Sequence, residues 1–230
     1  MNRYKLAAIA AVLCLMAISL SGHGQQSPPP PPPPPSGAGP GAREAMEGGP
    51  GGAGGYSVMV PPPLTRLEAL AAQKGLVIVK GYTDVGTLIA DDQSSVLVTA
   101  VQFSDGRNKE HGVALHVSQP VEGRTIQTTA YVDEEEIDGL IAAIDSLTKL
   151  QDGASAMQHF DARYQTQGAL ELLSTNLNGG RIILVRAMEL RSGMEPPVVA
   201  QAPFFVSRLA ELGQRMTAAK ELLAKAKAGQ

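Results

Sequence analysis

His159, Asp161 and Arg163 alternate along a segment that reads as a strand, so their side chains share one face, opposite Phe160, Ala162 and Tyr164. A His-x-Asp-x-Arg row is what a small secreted hydrolase or a metal-dependent enzyme could use. The plainer explanation is the solvated outer face of an antiparallel sheet, because polar residues at every second position are what such a face requires. His116, on an earlier strand, belongs to the same polar class, with Gln127 and Thr129 on the strand after it. His116, His159, Asp161 and Arg163 are therefore the candidate binding residues, and none is assigned a catalytic role. His111 lies five residues before His116, which turns the two rings to opposite faces and prevents them from chelating one ion by themselves.

The acidic run Asp133 to Asp138 invites a cation site. A calcium loop needs oxygen ligands at alternate positions around a glycine, whereas this run goes straight into a helical pattern. Carboxylates at a helix start need no ion, since the unpaired N–H groups there already favour negative charge. No Gly-rich phosphate loop, Gly-x-Ser-x-Gly elbow, paired-cysteine motif or His-Glu-x-x-His helix occurs in the chain. Tryptophan is absent and aromatic residues make up 4% of the chain, so a stacking platform for sugars or bases is poorly supplied. No metal and no cofactor are expected.

The elements that must position these residues follow from periodicity. Asp133 can cap a helix, with Glu136 reaching back to the cap in an Asp-x-x-Glu box. Ile137, Leu140, Ile141, Ile144 and Leu147 then form one apolar stripe over 133–150. Before it, 64–74 reads as a short helix, and strand patterns follow at Leu76 to Tyr82, Thr87 to Ala90, Ser95 to Phe103, around Val113 to Val117 and at Thr125 to Val132. After it come strands at Met157 to Thr166, Gly168 to Leu177 and Arg181 to Leu190, with Asn178-Gly-Gly180 as a hairpin signal. Ser192 to Pro203 reads as a proline-containing crossing. Leu209, Leu212, Met216, Ala219, Leu223 and Ala226 then predict a long C-terminal helix that packs on the sheet.

The expected architecture is α+β: an antiparallel sheet of about seven to eight strands packed by a central amphipathic helix and a long C-terminal one. The order of strands, helix, three strands and helix is similar to the layout of single-stranded nucleic-acid binders of the Whirly and Pur kind. That resemblance is one of element order and covers no sequence motif. It would imply a nucleic-acid partner, and three properties of this chain oppose one: mild acidity, an export signal and few aromatics.

The export signal is the segment 1–24, with Arg3 and Lys5 ahead of an apolar run from Leu6 to Leu20 and small residues Gly22 and Gly24 at the cleavage position. About 15 apolar residues fall short of the roughly 20 that a spanning helix needs, so no stable membrane span is expected after cleavage. Cleavage would remove Cys14, the one cysteine, and would take the net charge from −3 to about −5. A disulfide-free, mildly acidic exported chain is a poor ligand for DNA or an anionic membrane.

Residues 25–63 form a Pro/Gly-rich linker, read as disordered, with consecutive prolines from Pro28 to Pro35. That run suits a polyproline II rod of roughly 25 Å that holds the domain at 64–230 away from its N-terminus. The expected protein is a periplasmic or extracellular bacterial one. Its leading role is a non-catalytic binding or interaction domain with a protein or cell-envelope partner, its oligomeric state left open. The alternative is the enzyme built on the His159 row.

Overall fold

The computed structural model describes residues 62–151, 154–157, 160–177, 180–191 and 195–229. The segment expected to be an export signal, most of the expected linker, His159 and the tip of the expected Asn178-Gly-Gly180 hairpin lie outside the described residues. In order, the elements are helix α1 (Arg66–Ala71), strands β1 (Val79–Ile89), β2 (Ser95–Ser104), β3 (Lys109–Val121) and β4 (Arg124–Asp133), and helix α2 (Ile137–Lys149). Strands β5 (Ala162–Gln165), β6 (Leu170–Leu177), β7 (Gly180–Glu189) and β8 (Val198–Phe205) follow, then helix α3 (Val206–Ala228).

All eight strands pair antiparallel, so the α+β expectation holds. They divide between two four-stranded meanders, β1-β2-β3-β4 and β5-β6-β7-β8. Three strand boundaries differ from the sequence reading. β1 runs unbroken from Val79 to Ile89, because a bulge between Asp84 and Gly86 absorbs what looked like a turn. β5 is confined to Ala162–Gln165. The proline-containing crossing holds β8, which is an edge strand and so accommodates Pro203 without breaking the ladder.

One core serves both sheets and both long helices. Val113, Leu115, Ala130 and Val132 from the first sheet meet Leu170, Leu172, Ile183 and Val185 from the second. Ile137, Leu140, Ile144 and Leu147 of α2 and Leu209, Leu212, Met216, Ala219 and Leu223 of α3 complete it. The stripes read from the sequence are thus the buried ones, except that Ile141 is half-buried and Ala226 is exposed.

The cap at Asp133 works differently from the expectation. Asp133 does precede a 3-10 turn (Glu134–Glu136) that leads into α2, but its side chain makes no bond to that helix. Its buried carboxylate instead accepts from the N–H groups of Arg66 (2.8 Å) and Leu67 (3.2 Å), at the start of α1. Glu136 accepts from the Gln167 N–H (3.0 Å) rather than from the cap. The reciprocal box sits at α1, where Thr65 Oγ1 accepts from the Glu68 N–H and Glu68 accepts from the Thr65 N–H, both at 3.1 Å. A six-residue helix is too short to hold itself. Here the N–H groups of residues 65 to 68 are all satisfied, half of them by a residue from the far end of the first sheet.

Close packing of α1 needs two glycines. A Cβ at Gly112 would collide with the Val132 carbonyl oxygen and with Leu67 Cδ1, and one at Gly168 would collide with the Tyr131 carbonyl oxygen and Thr65 Cγ2.

Candidate functional site

The first sheet buries one face in the shared core and turns the other outward. α1 covers part of the outer face, where Leu67 and Leu70 pack on Val101, Phe103 and Ala114. The rest is an open concavity of about 560 Å³. Register explains its composition: Leu97 of β2 pairs with His116 of β3, which pairs with Thr129 of β4, while Ser95, Ser118 and Gln127 form the next row. One parity of each strand therefore gathers a polar floor from residues far apart in the chain.

Two pairs of the floor's polar groups bond to each other. His116 Nδ1 lies 2.8 Å from Thr129 Oγ1, and the Thr99 hydroxyl donates to Asp84 Oδ1 at 2.9 Å. Burial pushes the His116 pKa below its ordinary value; the positive charge of Lys80 adds to the shift and Asp84 opposes it. The ring is therefore neutral at neutral pH. The Lys80 ammonium lies 5.6 Å from the Phe103 ring centre and 5.9 Å from those of Tyr82 and Tyr131, within reach of all three π faces. Phe103 and Tyr131 meet edge to face at 6.0 Å, and Tyr82 is 69% exposed at the rim.

A histidine against a hydroxyl is the beginning of a nucleophile–base pair, but such a pair needs a third group to orient the base. Asp84, the carboxylate whose charge His116 feels, accepts from Thr99 instead. Among the described residues no cluster of three or more His, Cys, Asp or Glu side chains is placed to hold a metal ion. The arrangement offers hydroxyl, amide and imidazole groups in a shallow basin, with the unlike charges of Lys80 and Asp84 on β1, which suits recognition of a ligand by hydrogen bonds.

The sequence candidates do not converge. His116, Gln127 and Thr129 line this basin, whereas Arg163 stands on the second sheet and Asp161 is exposed just before β5. The single polar face that would have joined His116 to the His159 row is divided because the strands belong to two sheets. Arg163 is engaged by Glu171 across the β5–β6 pair at 3.2 Å and donates to Gln165, and Arg186 approaches the same Glu171 at 3.7 Å. His111 does face away from His116, as expected. Its ring is buried with Nε2 lacking a hydrogen-bond partner, and burial lowers its pKa, opposed by Glu134 and Glu110 and reinforced by Lys227 and Lys109.

Lys80, Asp84 and Thr99 were missed in the sequence. The usable signal was the alternation of Leu97, Thr99, Val101 and Phe103 against Val96, Val98 and Ala100 on β2.

No family model matches the chain, and no curated protein matches it. A solved structure it resembles is that of the plant transcriptional regulator PBF-2, with 12% identity and a TM-score of 0.26 over 66% of this chain and 86% of that one. A likeness that slight assigns neither fold nor function. Among the described residues no helix is long and apolar enough to cross a membrane.

Proposed function

We propose that this protein is an exported, non-catalytic binding domain carried on a Pro-rich spacer, and that it binds through the open outer face of the first sheet. The observation that supports this reading is the basin itself. Its ionisable groups are either neutral, as His116 is, or opposite in sign, as Lys80 and Asp84 are. Its hydroxyl and amide groups point into a concavity instead of forming a catalytic chain. Export rests on the basic, apolar and small-residue order at the N-terminus, and a periplasmic or extracellular location on the same feature. The partner class proposed is a protein or another component of the cell envelope.

The test is retention of the secreted chain on isolated envelope material, compared with a Gln127→Trp variant that fills the basin from its exposed rim. Binding by the natural chain and its loss in the variant, with an unchanged thermal melt, is the expected result. Equal retention of the two, or no retention of either, would overturn the binding surface. Intact mass of the secreted form addresses export separately: the expected chain starts at Gln25, and one still carrying Met1 would defeat that part.

A further inference from the structure

The edge of the first sheet carries information that its outer face does not. β1 has β2 on one side and no described strand on the other. Its second half is screened by α3, where Arg208 donates to the Ile89 carbonyl (3.3 Å) and the Arg215 guanidinium lies against Gly86. Its first half is not screened in this way: every residue from Val79 to Asp84 is exposed, and burial begins only at Val85. Val79 is 61% exposed, and Leu76 and Val77 just before the strand are exposed too. An unpaired, partly apolar edge of this length is a template for another strand unless something blunts it. The usual devices do not protect this half. It contains no proline, the bulge lies beyond it at Asp84/Gly86, and its one lysine lies on the outer face together with Asp84, an unlike charge on the same strand.

We propose that β1 pairs antiparallel with β1 of a second copy of this chain, about a two-fold axis at Tyr82. Two four-stranded sheets then become one continuous sheet. The choice of a second copy over a foreign peptide comes from the charges. In this register Tyr82 meets its own copy, Gly81 meets Thr83, and Lys80 meets Asp84, so the same unlike pair forms twice. Slipping the register by two residues in either direction loses both pairs. Such self-complementarity is what an isologous interface demands. Thr99 occupies one oxygen of Asp84, Oδ1, and leaves the other for the incoming lysine. On the opposite face of the ribbon Val79 comes beside Val85 of the second copy, covering an exposed side chain with a half-buried one. The pairing requires no ligand in the basin, although Lys80, Tyr82 and Asp84 also line it; Gln127→Trp alters the basin without touching this edge, so the two readings fail separately.

Sedimentation of the purified full chain tests this with two charge reversals. The natural chain should sediment as a dimer. K80D and D84K should each halve the mass, since each places like charges opposite one another twice. Mixing the two variants should restore the dimer, because one then presents two acids and the other two bases at the facing positions; the K80D/D84K double variant should also dimerise. A natural chain that stays monomeric, single variants that both stay dimeric, or a mixture that stays monomeric would each overturn the pairing.

Discussion

The outer faces of the two sheets are built from the same antiparallel meander and have opposite characters. On the first, Ser95, Thr99, His116, Ser118 and Thr129 surround a basin, and α1 shelters the apolar remainder. On the second, Leu173, Leu184 and Pro203 lie in one cross-strand row, and Gln165, Glu171, Arg186 and Gln201 lie in the next. The polar groups of the second face are spent on each other: Glu171 takes Arg163 and Arg186, and Arg186 donates to Gln201 at 3.2 Å. Leu184 is only 9% exposed although it faces away from the shared core. A face whose polar rows are interlocked and whose apolar rows are self-covering is finished without a partner. The first face keeps hydrogen-bonding capacity around an unfilled hollow, and that difference directs the functional proposal to it.

The strongest way to break the contrast is to remove the residue that ties α1 to the first sheet. Asp133→Ala strips a buried carboxylate from two backbone donors at the start of a short helix. Hydrogen bonds to charged groups and helix caps make this worth about 2 kcal/mol. Denaturant melts should show that loss, and amide exchange should quicken in α1 and over Phe103 and Tyr131 while β6 and β7 stay protected. Uniform loss of protection in both sheets would mean that α1 is not a separable cover.

Acidification should weaken the first sheet next. His116 and His111 both lie on β3, and burial lowers the pKa of each below the ordinary 6.5. The folded chain therefore prefers the neutral rings, so their contribution is fully present above pH 6.5 and is lost as pH falls through the lowered values. Melting temperature should fall between about pH 7 and about pH 5.5, before the carboxylates titrate. His116→Gln should flatten part of that slope. A variant with the full slope would assign the acid sensitivity to His111 or to groups outside this sheet.

Strand parity and helix stripes were legible because each is set by local period: Val113, Leu115 and Val117 against His116, and Ile137 through Leu147. What pairs with what was not. The basin takes Lys80 and Asp84 from β1, Thr99 from β2, His116 from β3 and Thr129 from β4, and only register brings them together. Asp133 shows the same limit in one residue. A local reading assigns its carboxylate to the helix that follows it, whereas the donors it finds belong to a helix more than sixty residues earlier. The division into two sheets was also illegible, since no period in the sequence records which strand edge is left unpaired. Glu122-Gly123, the tight turn joining β3 to β4 with both φ angles positive, was a readable signal that the strand alternation overshadowed.

The smallest effect is expected on the second face. Arg163 is the most exposed member of its ion row, at 56% of its side chain, against 14% for Glu171. Exposed pairs contribute little, because water screens the charges and the long side chain loses freedom in meeting its partner. Glu171 also keeps Arg186, so Arg163→Ala leaves no carboxylate alone. The expected cost is at most about 0.5 kcal/mol, and the same holds for exposed Asp161→Ala. Arg186→Ala is the sharper variant, since it removes one of the two partners of Glu171 together with the bond to Gln201. If Arg163→Ala alone cost several times the expected amount, the row would be holding β5 in place rather than decorating it. The second face would then be a strained surface held together by its charges, and the contrast with the first would lose its basis.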